Sequence, residues 1–165
     1  MTVNALYSVG DWIVHNHYGV GQIKDIEEKP IHGKDTATYR VKTKDAEYWV
    51  PLNNADNPRI RRVVNKRKLR KAMRMLRAKP QKMAKNYKKR NSRIKKVFRN
   101  GSIYKMARLL RDLLNLRNIK KLNNTEYDAV EKLTERFERE YAACYDVPLI
   151  RAKEVFADYL IEQAE

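Results

Sequence analysis

Residues 11–26 read DWIVHNHYGVGQIKDI. Asp11-Trp12-Ile13-Val14 is a short apolar run. His17-Tyr18-Gly19-Val20-Gly21 is a turn holding two glycines, and Gln22-Ile23-Lys24-Asp25-Ile26 alternates with period two. Strand, tight turn, strand is the simplest reading of that order. The pattern repeats downstream. Gly33-Lys34-Asp35 marks a turn, Thr38–Thr43 alternates again, Lys44-Asp45 turns, and Glu47-Tyr48-Trp49-Val50 closes at Pro51. Four or five short strands in about fifty residues predict a small SH3-like or Tudor-like β-barrel. Trp12, Ile23, Ile26, Val41 and Val50 are the expected core of so small a domain.

From Val64 onward the apolar period becomes helical. Leu69, Met73 and Leu76 predict a first helix ending at Lys79-Pro80, because the residue before proline avoids the α region. Met83, Tyr87, Ile94 and Phe98 predict a second, ending at Asn100-Gly101. Ser102 is the expected cap of a third, carrying Ile103, Met106, Leu110, Leu113 and Leu114. Thr125 with Asp128 gives a capping-box-like start to a fourth, with Val130, Leu133, Phe137 and Tyr141. Asp146-Val147-Pro148 opens a fifth, with Ile150, Val155, Tyr159 and Leu160. The expected fold class is therefore α+β: a β-barrel over residues 1–62, then about five helices over residues 63–165.

The charge is distributed unevenly. The chain of 165 residues carries a net charge of +17. Residues 1–60 hold 7 Lys/Arg and 8 Asp/Glu, and residues 122–165 hold 5 Lys/Arg and 11 acids. Residues 61–121 hold 25 Lys/Arg and a single acid, Asp112. A basic block beside a neutral module predicts a polyanion-binding surface joined to a module with another task. Cations spread over several helices favour phosphate contact over base reading. Within the block, KNYKKRNSRIKK (residues 85–96) has seven positive charges and one ring, Tyr87.

Catalytic and metal chemistry find little support. His15 and His17 share a strand face, but no third ligand is placed near them, and a turn role is favoured over metal binding. Gly19-Val20-Gly21 lacks the GxxxxGK of a phosphate loop. Cys144 is the lone cysteine and reads as a packed thiol. The acids of residues 126–140 read as a solvated helix face. No enzyme, cofactor or metal is expected. No apolar run reaches membrane-span length, and the N-terminal stretch lacks a signal-peptide layout, so a cytoplasmic protein is expected.

Several of these residues also carry a resemblance. Tyr7 to His15, His17 to Ile23, Ile26-Glu27, Ile31, Gly33, Tyr39, Val50-Pro51 and Asn54-Ala55 resemble, in this order, the CarD/CdnL family of bacterial transcription regulators. The module is shared with transcription-repair coupling factor. Gly101-Ser102-Ile103, Met106-Ala107 and Leu110-Arg111-Asp112-Leu113 are similar to a helix of the same family, so the likeness spans roughly residues 7–140. It implies a stand-alone regulator, since no helicase region is present.

The resemblance implies a mechanism. A Tudor-like domain binds the RNA polymerase β subunit through a strand edge. The helical domain lies on promoter DNA at the upstream edge of the bubble, contacting minor groove and backbone. A family tryptophan wedges there and hinders the bubble from closing. Tyr87 stands at the wedge position, and Lys89 and Arg90 stand at two arginines that follow it. The expected DNA-contacting set is Lys85, Tyr87, Lys88, Lys89, Arg90 and Arg93. The expected polymerase-contacting set is Lys29, Tyr48 and Trp49. Trp49 replaces a frequent arginine, and Arg108 replaces a family acid. Tyr87 keeps two readings, wedge or core, and Trp49 two, exposed anchor or barrel core. A monomer is expected, with a dimer left open. A general nucleic-acid-binding protein, RNA- or nucleoid-associated and independent of polymerase, is the alternative.

Overall fold

The computed structural model describes residues 5–54 and 57–161. The chain divides into two compact units between Val63 and Val64, and the architecture is α+β.

The first unit is a five-stranded antiparallel sheet. Its strands are β1 (Trp12–His15), β2 (Gly19–Ile31), β3 (Lys34–Lys42), β4 (Glu47–Pro51) and β5 (Ile60–Arg62), in the order β4-β3-β2-β1-β5. The opening motif is β1, a three-residue turn and β2, with His15 opposite Gly19 and Trp12 opposite Gln22. His32-Gly33 joins β2 to β3, both at positive φ, the two-residue hairpin turn that matches strand twist. A Cβ on Gly21 would lie 2.9 Å from the Val41 side chain, so only glycine lets β3 close on β2 there.

Tyr7, Ile13, Ile23, Tyr39, Val41, Tyr48, Val50 and Ile60 form the core. Two expected core residues are outside it, since Trp12 and Ile26 are 41 % and 42 % exposed. Trp12 pairs with polar Gln22, while the next residue, Ile13, points inward. The alternation of β2 is interrupted. The register slips between Ile23 and Asp25, so Lys24 is an extra residue in a bulge. Ile23 and Ile26 therefore both pair with inward-facing β3 residues, Val41 and Tyr39. Only Ile23 lies deep enough to be covered.

The second unit has five helices: α1 (Lys66–Arg77), α2 (Tyr87–Asn100), α3 (Ile103–Ile119), α4 (Asn124–Tyr145) and α5 (Leu149–Ile161). Helix α3 is its axis. Met106, Ala107, Leu109, Leu110 and Leu113 are buried among Leu69 and Leu76 of α1, Ile94 and Val97 of α2, and Leu133 and Phe137 of α4. Phe156 of α5 stacks on Phe137 at 5.7 Å.

The helix ends follow local chemistry. The Asn65 side chain accepts from the Lys68 amide at the start of α1, and Asn86 accepts from the Lys88 amide at the start of α2. Gly101, left-handed at φ 71°, ends α2. Ser102 precedes α3 without a side-chain cap bond. The capping box of α4 is Asn123 with Glu126, two residues earlier than Thr125 and Asp128 suggested. Helix α2 begins at Tyr87, so Met83 belongs to the connector from Ala78 to Asn86, which has no helix or strand.

Candidate nucleic-acid and protein interfaces

The basic block is built on three buried acids, each bound to a different piece of chain. Glu140 is buried in α4 and accepts from the Val64 amide at 3.0 Å, which anchors the approach to α1. Asp112 is buried in α3 and accepts from the Gln81 amide at 2.9 Å, from Arg93 at 2.8 Å and from Arg111 at 2.8 Å. Glu126 is 0 % exposed at the start of α4. One of its oxygens takes the Asn123 amide at 3.0 Å and the other takes the Arg90 Nε. A buried carboxylate is tolerable only when its lone pairs are filled in this way.

Arg90 was expected among the DNA contacts, and its position corrects that reading. It is 4 % exposed. Besides Glu126 it donates to the carbonyls of Ala84 at 3.0 Å and Lys85 at 2.7 Å. Its guanidinium is consumed inside the fold, where it clamps the turn that leads into α2. Arg93 is engaged as well, by Asp112 and by the Met83 sulfur at 3.0 Å, but its side chain stays 35 % exposed. Charge alone does not reveal burial, and the partner acids lie 36 and 19 residues away.

The clamp presents Tyr87. The ring occupies the first position of α2 and is 55 % exposed. It shares a seven-residue spacing with buried Ile94, which is why a core role fitted the sequence. The turn between them is filled by Arg90, however, and the core ends at Ile94. The core reading of Tyr87 is thereby excluded. Lys85, Lys88 and Lys89, its neighbours in sequence, are exposed, and the first turn of α2 holds no acid. The helix dipole adds positive potential at this end. An exposed ring and exposed lysines at one helix N-terminus favour an aromatic, anionic ligand.

The sheet carries a second candidate surface. Strand β4 is an edge, bonded only to β3 among the described residues. Along it Tyr48 turns inward and Trp49 outward. Trp49 is 38 % exposed, and its indole N–H donates to Glu27 at 3.1 Å. The Lys29 ammonium sits 4.4 Å from the Trp49 ring centroid. Glu27 also pairs with Arg40 at 2.7 Å, and Arg40 with Glu47 at 3.6 Å. Trp49 is thus an exposed aromatic held in a charged lattice across β2, β3 and β4.

Tyr48, expected at the same contact, is a core residue stacked on Tyr18 at 4.7 Å. Among the described residues its hydroxyl has no hydrogen-bond partner, and burial pushes the phenol well above its ordinary pKa. Strand alternation explains the swap: when Trp49 faces out, Tyr48 must face in.

His15 completes a turn. Its Nδ1 accepts from the amides of His17 at 2.9 Å and Tyr18 at 3.2 Å. Among the described residues no group of three His, Cys, Asp or Glu side chains could hold a metal ion. No described helix is long and apolar enough to cross a membrane. Cys144 is half-buried beside the helical core, and burial pushes its thiol up.

The family comparisons divide the chain in the same order. Residues 7–64 match the CarD-like/TRCF RID domain and residues 71–157 match the CarD C-terminal domain. The chain belongs to the CarD-like family. It is accordingly a transcription-associated protein that interacts with RNA polymerase. The RID domain is a Tudor-like RNA polymerase interaction domain, consistent with the five-stranded first unit. Both matched families are regulatory and interaction domains, not enzymes.

Sequence reasoning missed Glu126 and Glu140 as anchors, and it read the acids of α4 as solvated. Asp112 left a signal: one acid among 25 cations, at helical spacing beside Leu109 and Leu113.

Proposed function

We propose that this CarD-like protein stabilises the open promoter complex. Strand β4, with Trp49 and Lys29, docks on the polymerase β subunit by adding its edge to a strand there. The start of α2 then rests on promoter DNA. Lys85, Lys88 and Lys89 hold phosphates, and the Tyr87 ring presses on bases exposed at the edge of the bubble. Base reading is unnecessary, because the polymerase has already selected the promoter. The protein acts in the cytoplasm, on the nucleoid, as a monomer.

The observation that carries this reading is the exposed Tyr87 ring at the first position of α2, with exposed Lys85, Lys88 and Lys89 close to it in sequence and the chain just before it held by Arg90. A ring meant for the core would not be left outside it, and a merely solvated helix end gains nothing from an exposed aromatic.

Open-complex formation on a fluorescent-base promoter tests it, using cognate polymerase with wild-type protein and with Tyr87→Ala. The wild type is expected to raise the open-complex signal and the variant to lose most of that gain while remaining folded. Equal signals from the two would refute the wedge. Tight, steeply salt-dependent binding without polymerase, combined with no effect on opening, would favour a general nucleic-acid-binding role.

A further inference from the structure

Helix α1 carries more positive charge than the Tyr87 site accounts for. Seven of its twelve residues are Lys or Arg, and it has no acid. Leu69, Ala72, Met73 and Leu76 face the core. The cations occupy the remaining arc. Arg67, Arg70, Arg74 and Arg77 recur at three- and four-residue spacing, which lines them along one side of the helix.

This arrangement works against the helix itself. Arg67 and Lys68 lie in the first turn, where the dipole disfavours cations. Arg67 with Lys71, and Arg70 with Arg74, are like charges four apart, a destabilising pairing. Relief from within goes to the other cations: Lys66, Lys71 and Arg77 lie over the rings of Tyr145, Tyr104 and Tyr159. Among the described residues Arg67, Lys68, Arg70 and Arg74 make no ion pair, and the three buried acids of the unit serve other residues. Local stability therefore does not explain the pattern, and an external anion would.

We propose that the outward face of α1 is a second phosphate-binding track, gripping the backbone of duplex DNA apart from the Tyr87 site. The track rests on the DNA-binding part of the function proposed above, but not on the wedge. From Arg67 to Arg77 it runs about 15 Å along the helix axis. About nine phosphates lie along that length of duplex. An acidic protein is the poorer partner, because a protein interface needs an apolar or aromatic anchor at its centre. The outward face of α1 offers only cations; its remaining apolar residue, Met75, is half-buried against the core. Contacts of this kind add affinity and salt dependence without sequence preference.

The test uses the full chain and a fluorescein-labelled 30-base-pair duplex titrated at several salt concentrations. The triple variant Arg67→Ala/Arg70→Ala/Arg74→Ala removes exposed groups and puts a strong helix former in their place, and circular dichroism verifies its fold. The slope of log K against log[salt] is expected to become shallower by about 2.7, which is three phosphate contacts. A wild-type slope from the folded triple variant would overturn the track. So would unchanged DNA binding together with lost binding to DNA-free polymerase, which would make the face a protein contact. The two proposals fail separately. If Tyr87→Ala leaves promoter opening unchanged while the triple variant flattens the slope, the wedge falls and the track stands.

Discussion

Replacing Arg90 with methionine separates a structural arginine from a phosphate-contacting one. The substitution keeps most of the side-chain volume and removes the charge. It leaves the Glu126 carboxylate, fully buried, facing an apolar group. It also leaves the Ala84 and Lys85 carbonyls without their donor. Removing one member of a buried ion pair costs about 3–5 kcal/mol, and the two additional bonds place Arg90→Met in the upper part of that range. Urea unfolding followed by helical circular dichroism reads the second unit. With a denaturant slope of about 2 kcal/mol/M, the midpoint is expected to fall by roughly 2 M. Pairing the change with Glu126→Leu gives a double-mutant cycle. The double variant should be less destabilised than the sum of the singles, by about 1–3 kcal/mol. A loss below about 1 kcal/mol for Arg90→Met, with no coupling to Glu126, would refute the reasoning. It would return Arg90 to the surface, as the sequence first suggested.

Three further outcomes follow from the described contacts. Asp112→Asn removes the charge that holds Arg93 and Arg111, and thermal unfolding should register a loss of about 2–3 kcal/mol, since Arg93 remains partly solvated. Gly21→Ala forces a methyl group against Val41, and the tryptophan-monitored unfolding of the first unit should lose about 1–3 kcal/mol. Tyr48→Phe deletes a buried hydroxyl that has no partner among the described residues, so stability at neutral pH should be unchanged or rise by about 1 kcal/mol. The folded state holds the Tyr48 proton more tightly than the unfolded state, so the wild-type stability present below the ordinary tyrosine value should drain away as pH rises past about 10. The phenylalanine variant should lose that part of the decline, and identical alkaline profiles would contradict the assigned burial.

The strand-turn-strand of residues 11–26 was legible because apolar runs and glycines report directly on strands and turns. The helices were legible because Leu69, Leu110 and Leu133 recur at helical spacing with their neighbours. Depth and phase were harder to read. One bulged residue, Lys24, shifts the inward-facing set of β2, and no composition rule announces a bulge. Asn123 and Thr125 are both good caps, and the choice between them depends on where Glu126 can also bury itself. Tyr87 matches the core spacing of α2, but spacing does not say where the core stops. Arg90 looks like its neighbours Lys88 and Lys89, and only the folded chain brings Glu126 beneath it.

The connector from Ala78 to Asn86 gives the Tyr87 site a thermodynamic character of its own. It has no regular structure, yet Asp112 holds it at Gln81 and Arg90 holds it at Ala84 and Lys85. Ordering a residue's backbone costs about 1–2 kcal/mol, so a nine-residue segment that settled only on reaching its target would forfeit about 10 kcal/mol of its interaction energy. Here that entropy is lost at folding. Under the proposed open-complex role, the tyrosine would meet a short-lived stretch of melted DNA with little left to organise but its own two side-chain torsions, a property suited to catching a bubble before it anneals.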